Sequence, residues 1–362
     1  MRLLVVSGAS GGHLYPALEV ARTAHDRGHE VYLLLGGTPR VPFRHQDLGF
    51  RVFRVASGPI VGKGLRAAWS GLKIGLGTLE TLGILALHRF RPRAVLATGS
   101  FASVPGLLAA RGLRIPYFLM EQNVEPGATI RHFAPGARMV FLSFGETRQF
   151  LPADVATLVT GNPLRRELLK APEDPVLARH TLGLPENEPV VLVLGGSQGS
   201  AFLARHFAQV ARSFSGAYFL IQAGRVYEDL VSDYGERGGN YRIVRYLAPR
   251  EMALAYRAAT LVVSRAGGGA LAEIAYFGVP AVLVPFAGAR GHQYLNARAL
   301  AHQGAALLKE EASLSLEATP QWLQDLLHHP ERLQTLARQA RSRALPEAAE
   351  TIVRTIERII GS

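Results

Sequence analysis

Leu4-Val5-Val6-Ser7-Gly8-Ala9-Ser10-Gly11-Gly12, at the start of the chain, and Leu192-Val193-Leu194-Gly195-Gly196-Ser197-Gln198-Gly199-Ser200, past its middle, share one pattern. Each is a short apolar run that ends in a glycine-rich turn and leads toward a helical periodicity. An apolar run without alternation suits a strand buried on both faces, and such strands separated by helices form parallel sheets. Outward from the first pattern, His13 to Arg27 places Leu14, Leu18 and Ala21 on one helical face. Strand candidates follow at Val31–Leu35, Arg51–Val55, Ala94–Thr98, Tyr117–Met120, Met139–Leu142 and Thr157–Thr160, with Val104–Arg111 helical among them. The second pattern restarts the rhythm at Val190–Leu194, and it continues through Ala217–Ile221, Arg242–Val244, Leu261–Ser264 and Ala281–Pro285. The fold class expected is therefore α/β, with two Rossmann-like domains over residues 1–162 and 163–345. The turn-forming Gly161-Asn162-Pro163 marks the junction. From Pro346 to Ile360, Ala349, Ile352, Val353, Ile356, Ile359 and Ile360 share one face of an amphipathic helix, which makes 346–362 a separate docking segment.

Composition supports a folded chain of this size. The 362 residues are 48% apolar and 19% charged, enough for two cores and incompatible with intrinsic disorder. Cysteine is absent, which excludes disulfides, thiolate catalysis, cysteine-ligated zinc and iron–sulfur clusters. No targeting segment is expected, because the first apolar run is too short for a signal peptide. The longest greasy stretch, Ile74 to Leu87, is 14 residues and contains Glu80, short of the roughly 20 needed to span a bilayer. A soluble or peripheral protein is expected. The net charge of +12 is unevenly placed: residues 1–160 hold 18 Lys/Arg against 9 Asp/Glu, and residues 161–362 hold 22 against 19. The basic half suits a phosphate-rich ligand, an anionic membrane or nucleic acid.

Glycines between a buried strand and a helix let backbone N–H groups approach an anion at the positive end of the helix. Neither Ser7-Gly8-Ala9-Ser10-Gly11-Gly12-His13 nor Gly195-Gly196-Ser197-Gln198-Gly199 is the dinucleotide fingerprint or a P-loop, so nicotinamide chemistry and NTP hydrolysis are disfavoured. A third loop, Arg265-Ala266-Gly267-Gly268-Gly269-Ala270-Leu271-Ala272-Glu273, again follows a strand. Each alone is also an ordinary tight turn; three near strand carboxyl ends point to a ligand cleft. Glu273 stands one turn beyond its glycines, where a carboxylate can accept from a ribose diol or simply face solvent. His13 at the end of the first loop suits a general base at neutral pH, or a helix cap. Glu121-Gln122-Asn123 follows a strand end, and no metal-type spacing and no Gly-x-Ser-x-Gly elbow is present.

Five segments in this order, Gly8 to His13, Glu121 to Asn123, Gly161-Asn162-Pro163-Leu164-Arg165, Gly195 to Gly199 and the glycine-rich run to Glu273, resemble the MurG family of peptidoglycan N-acetylglucosaminyltransferases, glycosyltransferase family 28. The resemblance implies a GT-B fold, with parallel sheets facing a central cleft and the carboxyl-terminal helix returning to the first domain. It implies inverting transfer of N-acetylglucosamine from UDP-N-acetylglucosamine to undecaprenyl-diphospho-N-acetylmuramoyl-pentapeptide, in cell-wall synthesis on the cytoplasmic face of the membrane. By this resemblance Ser197, Gln198 and the glycines around them meet the UDP diphosphate, Gly268, Gly269, Ala270 and Leu271 lie along the phosphates, and Glu273 holds the ribose. Gln293 meets the sugar hydroxyls and Arg165 the diphosphate, while Ser10, Gly11, Gly12 and Asn123 close on donor sugar and acceptor diphosphate. His13 is the base candidate. No cofactor or metal is obligatory, a divalent cation at most assisting the lipid diphosphate.

The chain departs from the family pattern at Ser10, Met120, Ser100-Phe101, Ile130 and Ala289-Arg290-Gly291, where threonine, histidine, glycine-tyrosine, asparagine and acidic residues are usual. Most of these departures fall toward the acceptor side or the sugar, so another lipid acceptor such as diacylglycerol is the second reading. Residues 60–93 carry Lys63, Arg66, Lys73, Arg89, Arg91 and Arg93 against Glu80 alone, interleaved with apolar residues. That mixture suits a segment lying on an anionic membrane surface, or a core helix with a basic solvated face. A nucleic-acid-binding protein is the non-enzymatic reading; it lacks a zinc, helix-turn-helix or RNP signature, and no nucleic-acid partner is expected.

Overall fold

The structure is a computed structural model. It describes residues 1–37, 48–58, 65–170, 172–196, 199–286, 288 and 291–361. The chain divides into two compact units, Met1–Leu164 with Leu345–Ser362, and Arg165–Ala344.

The first unit is a sheet of seven parallel strands: β1 (Arg2–Gly8), β2 (Glu30–Gly36), β3 (Arg51–Val55), β4 (Ala94–Ala97), β5 (Tyr117–Glu121), β6 (Met139–Leu142) and β7 (Thr157–Val159). Their spatial order is β3-β2-β1-β4-β5-β6-β7. Successive residues of β1 serve opposite faces. Leu3 and Val5 pack with helix Gly11–Asp26 and the carboxyl-terminal helix Ala348–Gly361, and Leu4 and Val6 face helices Leu65–Leu87 and Val104–Gly112. With both faces covered, the strand needs no polar alternation.

The carboxyl-terminal helix buries Ile352, Val353 and Ile356 in this core. At its rim the Arg27 guanidinium donates in parallel to both Glu357 oxygens, at 2.9 and 2.8 Å, and to Glu350 at 2.6 Å. Arg27 thereby holds the Glu357 carboxyl below the usual carboxylate range. The chain leaves the unit beside the point where it returns. Gly161 has φ +77°, and a β-carbon there would lie 2.7 Å from the Leu345 side chain, so only glycine serves. That accounts for the glycine in the Gly161-Asn162-Pro163 turn.

The second unit has six parallel strands: β8 (Val190–Leu194), β9 (Tyr218–Gln222), β10 (Tyr241–Val244), β11 (Leu261–Ser264), β12 (Ala281–Leu283) and β13 (Leu307–Leu308), ordered β10-β9-β8-β11-β12-β13. Sequence periodicity misses β13, which is two residues long. In each sheet the strand order reverses beside the first strand, between β1 and β4 and between β8 and β11. Ligands of open α/β sheets bind at such switch points, outside the strand carboxyl ends.

One expectation is corrected. The 14-residue greasy stretch does not stand alone but lies within a 23-residue helix, Leu65–Leu87. Its Trp69–Leu87 portion has a mean hydropathy of 1.2 and is long and apolar enough to cross a membrane by length and composition. Its Ile74 and Leu85 nevertheless belong to the core of the first unit, and Glu80 accepts from the Ala56 amide at 2.6 Å.

Candidate active site

In the first unit, the loop after β1 and the end of β5 bring the predicted residues together. Ser10 caps helix Gly11–Asp26 through its backbone carbonyl, which accepts from the His13 and Leu14 amides at 3.1 and 2.8 Å. Its hydroxyl makes no capping bond, and the first turn carries no acidic residue. Gly11 is buried and Gly12 exposed, with open space where a side chain would be.

His13 sits against the β5 end. Burial holds its pKa below the ordinary 6.5; the Glu121 carboxylate, then the Thr98 carbonyl and the Gln122 side chain, pull the other way. The net result is a neutral imidazole at pH 7, the form a general base requires. Glu121, which sequence reasoning placed in a motif without a role, organises the loop. Its Oε1 accepts from the Asn123 amide and Nδ2 at 2.9 and 3.0 Å, and its Oε2 from the Gly127 amide at 3.0 Å. Thr147 Oγ1 donates to the Asn123 carbonyl at 2.9 Å, so Asn123 is fixed from both sides.

Two departures from the family pattern turn out to be core residues. Met120 is 1% exposed among Phe118 and Phe141, and Ile130 is fully buried in the opposite core layer. Both pack beneath the turn at Gly99, where a β-carbon would lie 2.7 Å from the Ile130 side chain and 3.4 Å from the Met120 carbonyl, so they shape that loop from inside the core.

In the second unit, helix Gly268–Phe277 begins after β11 with Gly267 as its cap, no side-chain cap bond and no acidic residue in its first turn. Its first-turn amides have the arrangement that glycine turns give at a helix start. Gly268 is buried, Gly269 and Ala270 half-buried, and Leu271 buried, so Leu271 offers a ligand only its backbone.

Glu273, one turn on, is already engaged. Its Oε1 accepts from Arg165 at 3.0 Å and its Oε2 from the Tyr256 hydroxyl at 3.0 Å. Tyr256 is 2% exposed and stacks on Phe277 at 5.0 Å; burial, then the Glu273 charge, push its pKa well above the ordinary value. The Tyr256 bond thus keeps its proton and fixes the carboxylate. Each carboxylate oxygen keeps a further lone pair for a ligand hydroxyl. Arg165 is brought to Glu273, a pairing across 108 positions that spacing alone cannot show.

Gln293 lies in helix His292–His302, and its Oε1 accepts from the Phe286 amide at 3.0 Å, so the side chain clamps the loop after β12. Arg265, 6% exposed, is the residue sequence reasoning missed. It donates to Ser200 Oγ at 2.8 Å and to the Val284 and Pro285 carbonyls at 3.1 and 3.2 Å, and pairs with Glu311. It ties together the loops after β8, β11 and β12. A lone arginine ahead of three glycines carries no signal for that role. Ser197 and Gln198 lie outside the described residues, as do Ala289 and Arg290. Among the described residues no group of three or more His, Asp or Glu is placed to hold a metal ion.

Residues 3–142 match the glycosyltransferase family 28 N-terminal domain, and residues 190–352 match the glycosyltransferase family 28 C-terminal domain. The chain is 37% identical over 368 residues to the UDP-N-acetylglucosamine--N-acetylmuramyl-(pentapeptide) pyrophosphoryl-undecaprenol N-acetylglucosamine transferase of Geobacter metallireducens, covering 98% of this chain and 97% of that one. It is 34% identical to the same-named transferase of Symbiobacterium thermophilum, covering 100% and 96%. Among solved structures it is similar to Acinetobacter baumannii MurG, with TM-score 0.74 and 25% identity over 99% of both chains. It shares its fold with the UDP-GlcNAc 2-epimerase of Neisseria meningitidis, at TM-score 0.71 and 15% identity over 99% of this chain and 100% of that one. Matches to both family 28 domains, and identity of this level along nearly the whole chain, establish that the protein belongs to the MurG family of glycosyltransferase family 28.

Proposed function

We propose that the protein transfers N-acetylglucosamine from UDP-N-acetylglucosamine to N-acetylmuramyl-(pentapeptide) pyrophosphoryl-undecaprenol in peptidoglycan synthesis. The observation that carries this reading is the 32–37% identity to transferases of that name along nearly the full chain. In this reading the second unit takes the nucleotide sugar. The amides of helix Gly268–Phe277 receive the diphosphate and stabilise the charge on departing UDP, which costs no reorganisation because the dipoles are already aimed. Ser197, Gln198 and Arg165 add to that charge-binding face, Glu273 accepts from the ribose hydroxyls, and Gln293 meets the sugar.

The first unit presents Ser10, Gly11, Gly12 and Asn123 to the acceptor diphosphate. His13 removes the proton from the acceptor 4-hydroxyl as that oxygen attacks the anomeric carbon. The bond to UDP breaks on the opposite side, and the configuration inverts. We assign no step to a metal. Transfer is expected with lipid-linked muramoyl-pentapeptide, in the presence of EDTA, at least about a hundredfold faster than with diacylglycerol. Equal rates with both acceptors would transfer the assignment to another lipid.

We further propose that the protein works peripherally on the cytoplasmic face of the membrane, docked through helix Leu65–Leu87. Trp69 is 60% exposed, Leu72 62%, Leu76 50% and Leu79 67%. These four recur at helical spacing on the side opposite the buried Ile74 and Leu85. Lys73, Arg89, Arg91 and Arg93 are exposed beside or beyond them. Lys63 and the Arg66 side chain lie outside the described residues. A helix with one face committed to the core lies on a bilayer more readily than across it. Apolar insertion and roughly 1 kcal/mol per basic residue near an anionic surface act together. Leu72→Glu with Leu79→Glu is expected to reduce co-sedimentation with phosphatidylglycerol vesicles at least about tenfold. Binding indifferent to both the substitutions and salt would remove this surface from consideration.

A further inference from the structure

Two buried polar atoms in the first unit face each other without forming a full hydrogen bond. One is His13 Nδ1, in the first turn of helix Gly11–Asp26; the other is Gln122 Oε1, directly after β5. The Gln122 amide is nonetheless near enough to act on the imidazole. Buried polar groups are nearly always paired, because an unmade bond costs the full desolvation of the group. A ring nitrogen beside an idle carbonyl oxygen is therefore a hydrogen bond that the resting geometry leaves loose.

Gln122 is 3% exposed, and its amide has one orientation. Its Nε2 donates to the Met120 carbonyl at 3.2 Å, so a flipped amide would press two oxygens together. Oε1 is the end left for the ring, and it can only accept. The Thr98 carbonyl, directly after β4, also acts on the ring and also can only accept. Neither group can donate, so the nitrogen they face carries a hydrogen. The nitrogen sealed from solvent is Nδ1, and the lone pair falls on Nε2.

A carboxylate commonly orients an imidazole base. Among the described residues Glu121 is the one charge acting on this ring, but its oxygens are taken by the Asn123 amide, Asn123 Nδ2 and the Gly127 amide. Gln122 stands in that role as a neutral group. It can fix the tautomer as a carboxylate does, without charging the imidazole in the resting enzyme.

We propose that Gln122 is a positioning residue for His13: its Oε1 accepts from Nδ1–H, holds the ring in the tautomer whose Nε2 is the base, and bonds more strongly to the imidazolium formed in the reaction. This rests on the reading of His13 as the base. As the acceptor oxygen bonds to the anomeric carbon, its proton passes to Nε2 and the O–H electrons stay on oxygen. The bond from the anomeric carbon to UDP breaks, and the UDP oxygen leaves with the electron pair. Nδ1 keeps its hydrogen throughout, while the positive charge spreads over both ring nitrogens. The bond to Oε1 then becomes charge-assisted, shorter and about twice as strong. Gln122 thus contributes more to the transition state than to the resting state, and a bond that is long in the free enzyme tightens as it is needed.

The test uses the full chain with nitrogen-15-labelled histidine, the His13 signals being those that vanish in His13→Ala. At about pH 8, where the ring is neutral, the wild type is expected to show Nδ1 protonated and Nε2 bare. Gln122→Met keeps the size and removes the acceptor, and Nε2–H is expected to gain population. In the same variant kcat for transfer is expected to fall roughly 10–100-fold, with KM for UDP-N-acetylglucosamine changed less than about twofold. The acid limb of kcat/KM moves to lower pH, because a group that favoured protonation is gone. Nε2–H in the wild type, or the same tautomer in both proteins, overturns the proposal. So does a fall in kcat with the acid limb unmoved, the result of a side chain that only packs. The wild-type tautomer is read without substrate and without a Gln122 variant, so it decides the role of Gln122 even where Gln122→Met does not fold. A wild type with Nδ1–H that transfers nothing to the muramoyl acceptor counts against the transfer reading, not against the pairing.

Discussion

Replacing His13 by alanine is expected to lower kcat by roughly 10²–10⁴-fold, the usual contribution of a positioned general base, with little change in UDP-N-acetylglucosamine affinity. The two effects separate because His13 lies in the first unit, among Thr98, Glu121 and Gln122, and the nucleotide-binding groups proposed here lie in the second. The pH profile supplies a second reading. Burial lowers the imidazole pKa below 6.5. The active neutral form therefore persists through neutrality and is lost only on acidification, so kcat/KM falls on the acid side with an apparent pKa below 6.5. In His13→Ala that limb disappears along with the rate. A retained kcat, or an acid limb that survives the substitution, would assign the base elsewhere.

Glu273→Ala is expected to raise KM for UDP-N-acetylglucosamine by roughly 10–100-fold, since hydrogen bonds to a charged group contribute about 1.5–3 kcal/mol each. The same change strips a partner from Arg165, whose side chain is only 10% exposed. Losing one side of this pair lowers Tm as well. Two milder variants divide the effects. Glu273→Gln keeps an acceptor for Tyr256 and removes the charge; Tyr256→Phe keeps the carboxylate and removes the bond that orients it. Tyr256→Phe should raise KM several-fold with kcat nearly unchanged. If Glu273→Gln and Glu273→Ala both bind UDP-N-acetylglucosamine as the wild type does, the carboxylate does not touch the ribose.

The sheets were legible because β1 and β8 are continuous apolar runs closed by glycine, which few other arrangements produce. Helix Leu65–Leu87 was harder to read, because Gly71, Gly75, Gly77 and Gly83 interrupt it at about 1 kcal/mol each in helix propensity. Tertiary packing overrides that cost. At Gly77 a β-carbon would meet the Ala56 carbonyl at 1.9 Å, so the glycine admits the neighbouring chain. The site divides the same way. Loops that offer backbone amides announce themselves through glycine, whereas Arg265 to Ser200 and Tyr256 to Glu273 are settled by strand order and side-chain reach. Residues 65 and 17 positions apart meet there because β8 lies beside β11 and helix Pro249–Ala258 approaches helix Gly268–Phe277. No local pattern encodes those meetings.

The carboxyl-terminal helix has a consequence for how the protein is made. Ile352, Val353 and Ile356 complete a core begun by Leu3 and Val5, so the first unit to leave the ribosome is the last to close. The second unit is contiguous and can finish while the first waits about 10–40 s for the remaining chain at roughly 5–20 residues per second. Through that interval the apolar flank of helix Gly11–Asp26 stays uncovered, a window in which a chaperone, or another nascent copy, competes for the place that Ile352 and Ile356 will take.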